Sequence, residues 1–231
     1  MSMRFGSICL VIFLCVGCKK NDAVESIDHG KAQRAPEETH IVAKMNHENH
    51  SQHGDHDNHE SMKASQASEQ SVYLLESSWE DARGGAYTLV ESKGQPTVVL
   101  MFYGTCEAVC PILIEDMKKI EAALSDEERE QTRFVLVSFD PENDTLPKLE
   151  ALAKKRELNP RRWHVLRGDD AQVRELAAVL GVRYRKTGDG QFSHSNLITL
   201  LDRDGVVVHQ TEGISQSPVP IVDHIKAMLG S

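Results

Sequence analysis

Three apolar runs, each followed by a stretch with helical spacing, set the strongest limit on how this chain folds. Residues 97–103 (TVVLMFY) and 133–139 (RFVLVSF) are near-continuous apolar runs, and residues 163–166 (WHVL) form a shorter one. A strand with one wet face alternates polar and apolar residues. A continuous run needs cover on both faces, as in a parallel sheet between helices. After the first run, Ile112, Leu113, Met117, Ile120 and Leu124 lie at helical spacing within 111–124. After the second, Asp144-Thr145-Leu146-Pro147 opens a helix that turns Leu149, Leu152 and Ala153 inward. After the third, Asp169 caps a helix carrying Val173, Leu176, Ala177 and Leu180, and Gly181 ends it. Ser125-Asp126-Glu127-Glu128 reads as the capping box of a short segment. Residues 196–201 and 206–209 predict a hairpin around Asp202-Arg203-Asp204-Gly205, and 221–229 a closing helix ended by Gly230.

The order β-α-β-α-β-α-β-β-α implies a mainly parallel sheet flanked by helices. The first run leads into Tyr103-Gly104-Thr105-Cys106-Glu107-Ala108-Val109-Cys110-Pro111, two thiols at the mouth of a helix whose first turn suits proline. A dithiol there, with a terminal hairpin and helix, predicts an α/β thioredoxin-like fold. Soft thiolates bind copper(I) or close into a disulfide. The positive end of the helix is expected to lower both thiol pKa values.

The other cysteines belong to a different part of the chain. Cys9 and Cys15 lie in an N-terminal apolar stretch and Cys18 ends it, so no framework of structural disulfides is expected. Arg4 precedes an apolar core at 8–16 that is too short to span a bilayer, as in a secretion signal. Leu14-Cys15-Val16-Gly17-Cys18 resembles the lipobox of bacterial lipoproteins. On that likeness residues 1–17 are a signal peptide and Cys18 is lipidated. The domain would then sit in the cell envelope, outside the cytoplasm, anchored to a bacterial membrane by lipid (periplasmic if there are two membranes). Two or more acyl chains hold a protein where one does not.

Residues 18–70 are expected to form a disordered tether, because almost no large apolar side chain occurs in them to offset the ordering entropy. A coil of that length spans roughly 40 Å. Within it His47, His50, His53, His56 and His59 recur every three residues, flanked by His40, Met45 and Met62. Imidazole suits copper, nickel and zinc, so the tract is an auxiliary metal-binding candidate. Residues 71–231 are left as the folded domain. A net charge of −9 over 231 residues argues against nucleic acid as a partner.

Residues 72–229 resemble the Sco/SenC family of copper chaperones for cytochrome c oxidase assembly. Three elements carry the likeness: Cys106-x-x-x-Cys110-Pro111 after an aromatic strand end, the segment from Val137 through Asp140-Pro141-Glu142-Asn143-Asp144-Thr145, and Ser193-His194-Ser195 before the hairpin strand. The resemblance implies that Cys106, Cys110 and His194 bind copper, as copper(I) or copper(II). It also implies two partners, a copper donor protein and the copper-centre subunit of cytochrome c oxidase. The chain departs from the family's usual Pro-Asp between the cysteines, carrying Glu107-Ala108, and has Ser193 where Asp commonly precedes the histidine. Ordinary thioredoxins place a cis-proline near the position of His194, whereas no proline occurs here between Pro160 and Pro218.

The chain is therefore expected to be a metallochaperone rather than an enzyme. The alternatives are a thiol-disulfide oxidoreductase acting through a Cys106–Cys110 disulfide, and a metal-storage or stress lipoprotein built on the histidine tract. His164, His209 and His224 are given no part in the dithiol site, Met101 is read as core, and Asp140 as a loop cap.

Overall fold

The computed structural model describes residues 62–231. The signal peptide, Cys18 and the tract from His47 to His59 lie outside the described residues.

Three parallel strands form the centre of the sheet: β3 (Thr97–Phe102), β4 (Arg133–Ser138) and β5 (Trp163–Arg167). All six residues of β3 are buried, as its unbroken apolar run requires. Two antiparallel hairpins extend the sheet. On one side β1 (Ser78–Asp81) pairs with β5 and with β2 (Ala86–Thr88). On the other, β8 (Leu197–Leu201) pairs with β3 and with β9 (Val207–Glu212). The resulting order is β2-β1-β5-β4-β3-β8-β9. A separate ribbon of β6 (Tyr184–Lys186) and β7 (Phe192–His194) stands apart from this sheet.

Helices cover the sheet. Helix α1 (Val109–Ala123) follows β3 and buries Cys110, Leu113, Ile114, Met117 and Ile120. It starts two residues earlier than its sequence period predicts, and Ile114 rather than Ile112 turns fully inward. Helix α2 (Asp126–Glu130) has the expected reciprocal capping box between Ser125 and Glu128. Helix α3 (Leu146–Lys155) buries Leu149. Helix α4 (Asp170–Leu180) is capped by Asp169 and ends at Gly181 in the left-handed region. Helix α5 (Val219–Leu229) closes the domain through Ile221, Val222 and Ile225. The core is dense at Trp79, Leu100, Met101, Phe102, Phe134, Leu136 and Trp163. Full burial of one such leucine contributes about 1.5–3 kcal/mol.

Two features differ from expectation. The β1–β2 hairpin and the β6–β7 ribbon are absent from the predicted order. Residues 64–68, assigned from sequence to the tether, run along the domain. The Ser65 and Ser68 amides donate to the Gly181 and Val179 carbonyls, and the Ala64 amide to Glu212 Oε1.

Candidate metal centre

The site lies where β3 ends and α1 begins. Burial of Phe102 and Tyr103 fixes the end of the strand, and the chain then turns outward through Gly104 and Thr105 to Cys106. Cys106 is half-buried, whereas Cys110 lies inside the first turn of α1 and is only 2% exposed. The Cys110 amide donates to the Cys106 sulfur at 3.3 Å. First-turn amides of a helix have no helical acceptor, and here one of them meets a thiol.

The turn is clamped from below. Asp144 is fully buried, and its Oδ2 accepts from the Gly104 amide at 2.8 Å and from Ser138 Oγ at 2.5 Å. A Cβ on residue 104 would lie 2.5 Å from Asp144 Oδ1, so only glycine permits this approach. Burial pushes the Asp144 carboxyl pKa up. Asp140 holds the same connection: both of its carboxylate oxygens accept from Asn143 Nδ2, and its carbonyl accepts from the Asn143 and Asp144 amides. That is the loop-cap geometry expected of it.

His194 arrives from β7. Its backbone is set by pairing with Tyr184 on β6 and by mutual hydrogen bonds between Arg183 and Ser195. The imidazole is 5% exposed and packs against Tyr103 edge-on, with a centroid separation of 5.8 Å, and against Phe139 at 5.3 Å. Nδ1 lies 3.0 Å from the Ser195 carbonyl oxygen. A carbonyl only accepts, so Nδ1 carries the proton, and Nε2 turns its lone pair to Cys110 Sγ at 3.9 Å.

Sγ of Cys106, Sγ of Cys110 and an imidazole nitrogen of His194 lie within 4.8 Å of one another. Among the described residues this is the cluster of three or more Cys, His, Asp or Glu donors compact enough for one metal ion. Two soft thiolates and a neutral imidazole suit copper, and hard oxygen-seeking cations are poorly served.

The two thiols are not equivalent. A hydrogen bond from the Cys110 thiol, with help from the Cys110 and Ala108 amides, holds Cys106 well below the ordinary thiol pKa, although burial opposes this. The same hydrogen bond, together with burial and the Cys106 charge, pushes Cys110 up. The expectation that the helix lowers both pKa values is thus corrected. One proton shared by two close sulfurs favours ionisation of the sulfur facing the amides and solvent. A cleft of about 660 Å³ opens over Cys106, bounded by Glu107, Val109, Gln191, Phe192 and His194.

Three contributors lack an obvious sequence signal: Asp144, Ser195 and the aromatic wall of Tyr103 and Phe139. The β6–β7 ribbon did have one, since Thr187-Gly188-Asp189-Gly190 between aromatic residues is a hairpin turn signature. His164 instead accompanies Asp81, at 2.9 Å, on the other side of the sheet, and His209 packs beside His224. The histidine tract lies outside the described residues.

Fold and site together define a thioredoxin-like domain with a dithiol and an adjoining buried histidine. The chain belongs to the SCO1/SenC family, whose sequence model matches residues 65–230. The SCO1 protein homolog of Bacillus subtilis is 24% identical over 154 residues, which cover 65% of this chain and 79% of that protein. Bradyrhizobium japonicum ScoI, solved with copper bound, superposes with a TM-score of 0.53 at 26% identity over 65% of this chain and 96% of its own. A SCO1/SenC family lipoprotein from Bacillus anthracis superposes with a TM-score of 0.61 at 24% identity, over 66% and 92% of the two chains.

Proposed function

We propose that this chain is an envelope copper chaperone. It takes copper at Cys106, Cys110 and His194 and passes it to a copper centre of a respiratory cytochrome c oxidase. The observation that carries this reading is the convergence of three donors within 4.8 Å, with the imidazole tautomer set for ligation. Family membership and the copper-bound state of the Bradyrhizobium ScoI support it.

Copper(I) accepts low coordination numbers, and two thiolates with one imidazole satisfy it. Copper(II) takes the same donors and one more. Release proceeds by ligand exchange, with the acceptor's thiolates replacing Cys106 first, because Cys106 faces the cleft. A copper donor protein loads the site from the same side. Lipidation at Cys18 holds the protein on the membrane outside the cytoplasm. The residues between Cys18 and the segment docked at 64–68 carry the domain away from that surface, and the tract from His47 to His59 gathers metal nearby.

The reduced full-length chain is expected to bind one copper(I) far more tightly than a Cys106→Ser/Cys110→Ser variant. Undiminished tight binding in that variant sinks the proposal. For delivery, a strain lacking the protein should lose oxidase activity and recover it with added copper.

The unequal thiols favour a second reading. A half-buried, ionised Cys106 beside a protonated, buried Cys110 is the division of labour of a disulfide reductase. Cys106 attacks the acceptor's disulfide, Cys110 resolves the mixed disulfide, and the acceptor leaves with two thiols as this chain is oxidised. Complementation with His194→Ala separates the readings: it fails for copper delivery and succeeds for reduction.

A further inference from the structure

The described domain carries a second close pairing of side chains of a metal-ligating type, apart from the dithiol. His209 on β9 and His224 on α5 have ring centroids 4.9 Å apart, with their planes inclined by 36°. His224 is exposed and His209 is half-buried, so an ion reaches the pair from solvent. Two imidazoles bound to one ion, each at a metal–nitrogen distance of about 2.0–2.1 Å, place their centroids about 5 Å apart at ordinary ligand angles. The observed centroid separation falls at that value.

We propose that His209 and His224 form a surface site for a borderline divalent cation, with solvent completing the coordination and copper(II) bound most tightly. Imidazole is a good ligand for copper(II), nickel(II) and zinc(II), and copper(II) heads the divalent series. Thr211 Oγ1 lies 3.4 Å from His209 Nε2. When Nε2–H donates to that hydroxyl, Nδ1 is left bare for the metal. Burial, and then the neighbouring His224, lower the His209 pKa and favour the neutral ring that metals require. The backbone on both sides is held by the fold, His209 lying beside a register shift in its ladder. His209 sits in the β8–β9 ladder opposite Leu200, and α5 is fastened to the core by Ile221, Val222 and Ile225. Both rings are therefore presented together before the ion arrives, and the second ligand closes at high effective concentration.

The test uses the full-length chain with Cys9, Cys15, Cys18, Cys106 and Cys110 all replaced by Ser, which removes the thiol site and the thiols that would reduce copper(II). Histidine carbethoxylation is followed residue by residue by mass spectrometry during a copper(II) titration carried past saturation of the histidine tract. His209 and His224 are expected to become protected together, at one metal concentration. In His224→Asn, protection of His209 should require on the order of a hundredfold more copper. The reciprocal variant His209→Asn, read at His224, gives the same answer if the first does not fold. Protection of either histidine that survives loss of its neighbour overturns the proposal, and so does a titration in which only the tract is protected.

Discussion

Nε2 of His194 stands 3.9 Å from the sulfur of Cys110, while Nδ1 of the same ring is tied to the Ser195 carbonyl at 3.0 Å. The neighbouring residue's backbone thus sets which nitrogen is offered to the dithiol, and Tyr103 and Phe139 set the ring's direction. His194→Ala should weaken copper(I) binding by about a hundredfold or more, since even outer partners of a metal ligand are worth 10–100-fold. Reaction of Cys106 with a small disulfide should change far less. Competition with a chromophoric copper(I) chelator, beside a thiol-exchange assay, measures both.

The split between the thiols gives reduced protein a distinctive pH profile. The Cys106 pKa is lowered on folding, so its contribution is present above the unfolded thiol value, about 8.5, and is lost as pH falls toward its folded value. The Cys110 pKa is raised, so its contribution is present below about 8.5 and is lost as pH climbs above that value. Relative to Cys106→Ser/Cys110→Ser, stability of the reduced chain should peak near pH 8.5 and decline on either side. Urea titrations at three pH values suffice. A flat difference would contradict the assignment, and iodoacetamide should label Cys106 well before Cys110 at neutral pH.

Gly104 and Asp144 should behave as a coupled pair. Gly104→Ala forces a methyl group to 2.5 Å from Asp144 Oδ1, and overpacking of this kind costs about 1–3 kcal/mol. The displaced turn should also weaken copper binding through Cys106. Adding Asp144→Ala removes the obstructing carboxyl, so the double variant should lose less than the sum of the singles. Additive losses in denaturant titrations would show that the two residues do not meet.

Asp81 predicts an acid limb. Burial pushes its carboxyl up, but hydrogen bonds from His164 and Arg83 prevail and hold it below the ordinary carboxylate pKa. A lowered carboxylate pKa stabilises the fold above the unfolded value, about 3.9, and that stabilisation fades as pH falls further. Asp81→Asn should therefore be less stable than wild type at pH 7, with the gap narrowing below about pH 4. Thermal unfolding across that range reads it directly.

Long apolar runs made β3, β4 and β5 legible in the sequence, and caps marked α2 and α4, because these signals are local. Strands of three or four residues with one wet face carry little periodicity, which hid β1, β2, β6 and β7. The dithiol could be read as a spaced motif. His194, 84 residues from Cys110, could be placed beside it only through the expected thioredoxin-like fold and the family resemblance. Asp144 and Ser195 stand inside the quoted motifs, but their roles could not be read there, because those roles depend on which backbone groups the fold brings within hydrogen-bond reach. The inequality of the thiols is likewise a product of the hydrogen bond they share and of the deeper burial of Cys110, which a helix-dipole argument from sequence does not contain.

The ribbon of β6 and β7 shares no ladder with the seven-stranded sheet. One sulfur sits on the turn after the fully buried strand β3 and the other on the helix that follows, whereas the nitrogen sits on the separate ribbon. Substitutions in that ribbon can retune donor spacing without breaking a ladder of the main sheet, while its Tyr184 and Phe192 still pack on the core. Affinity for cargo and resistance to unfolding can thus evolve as separate traits in one small protein.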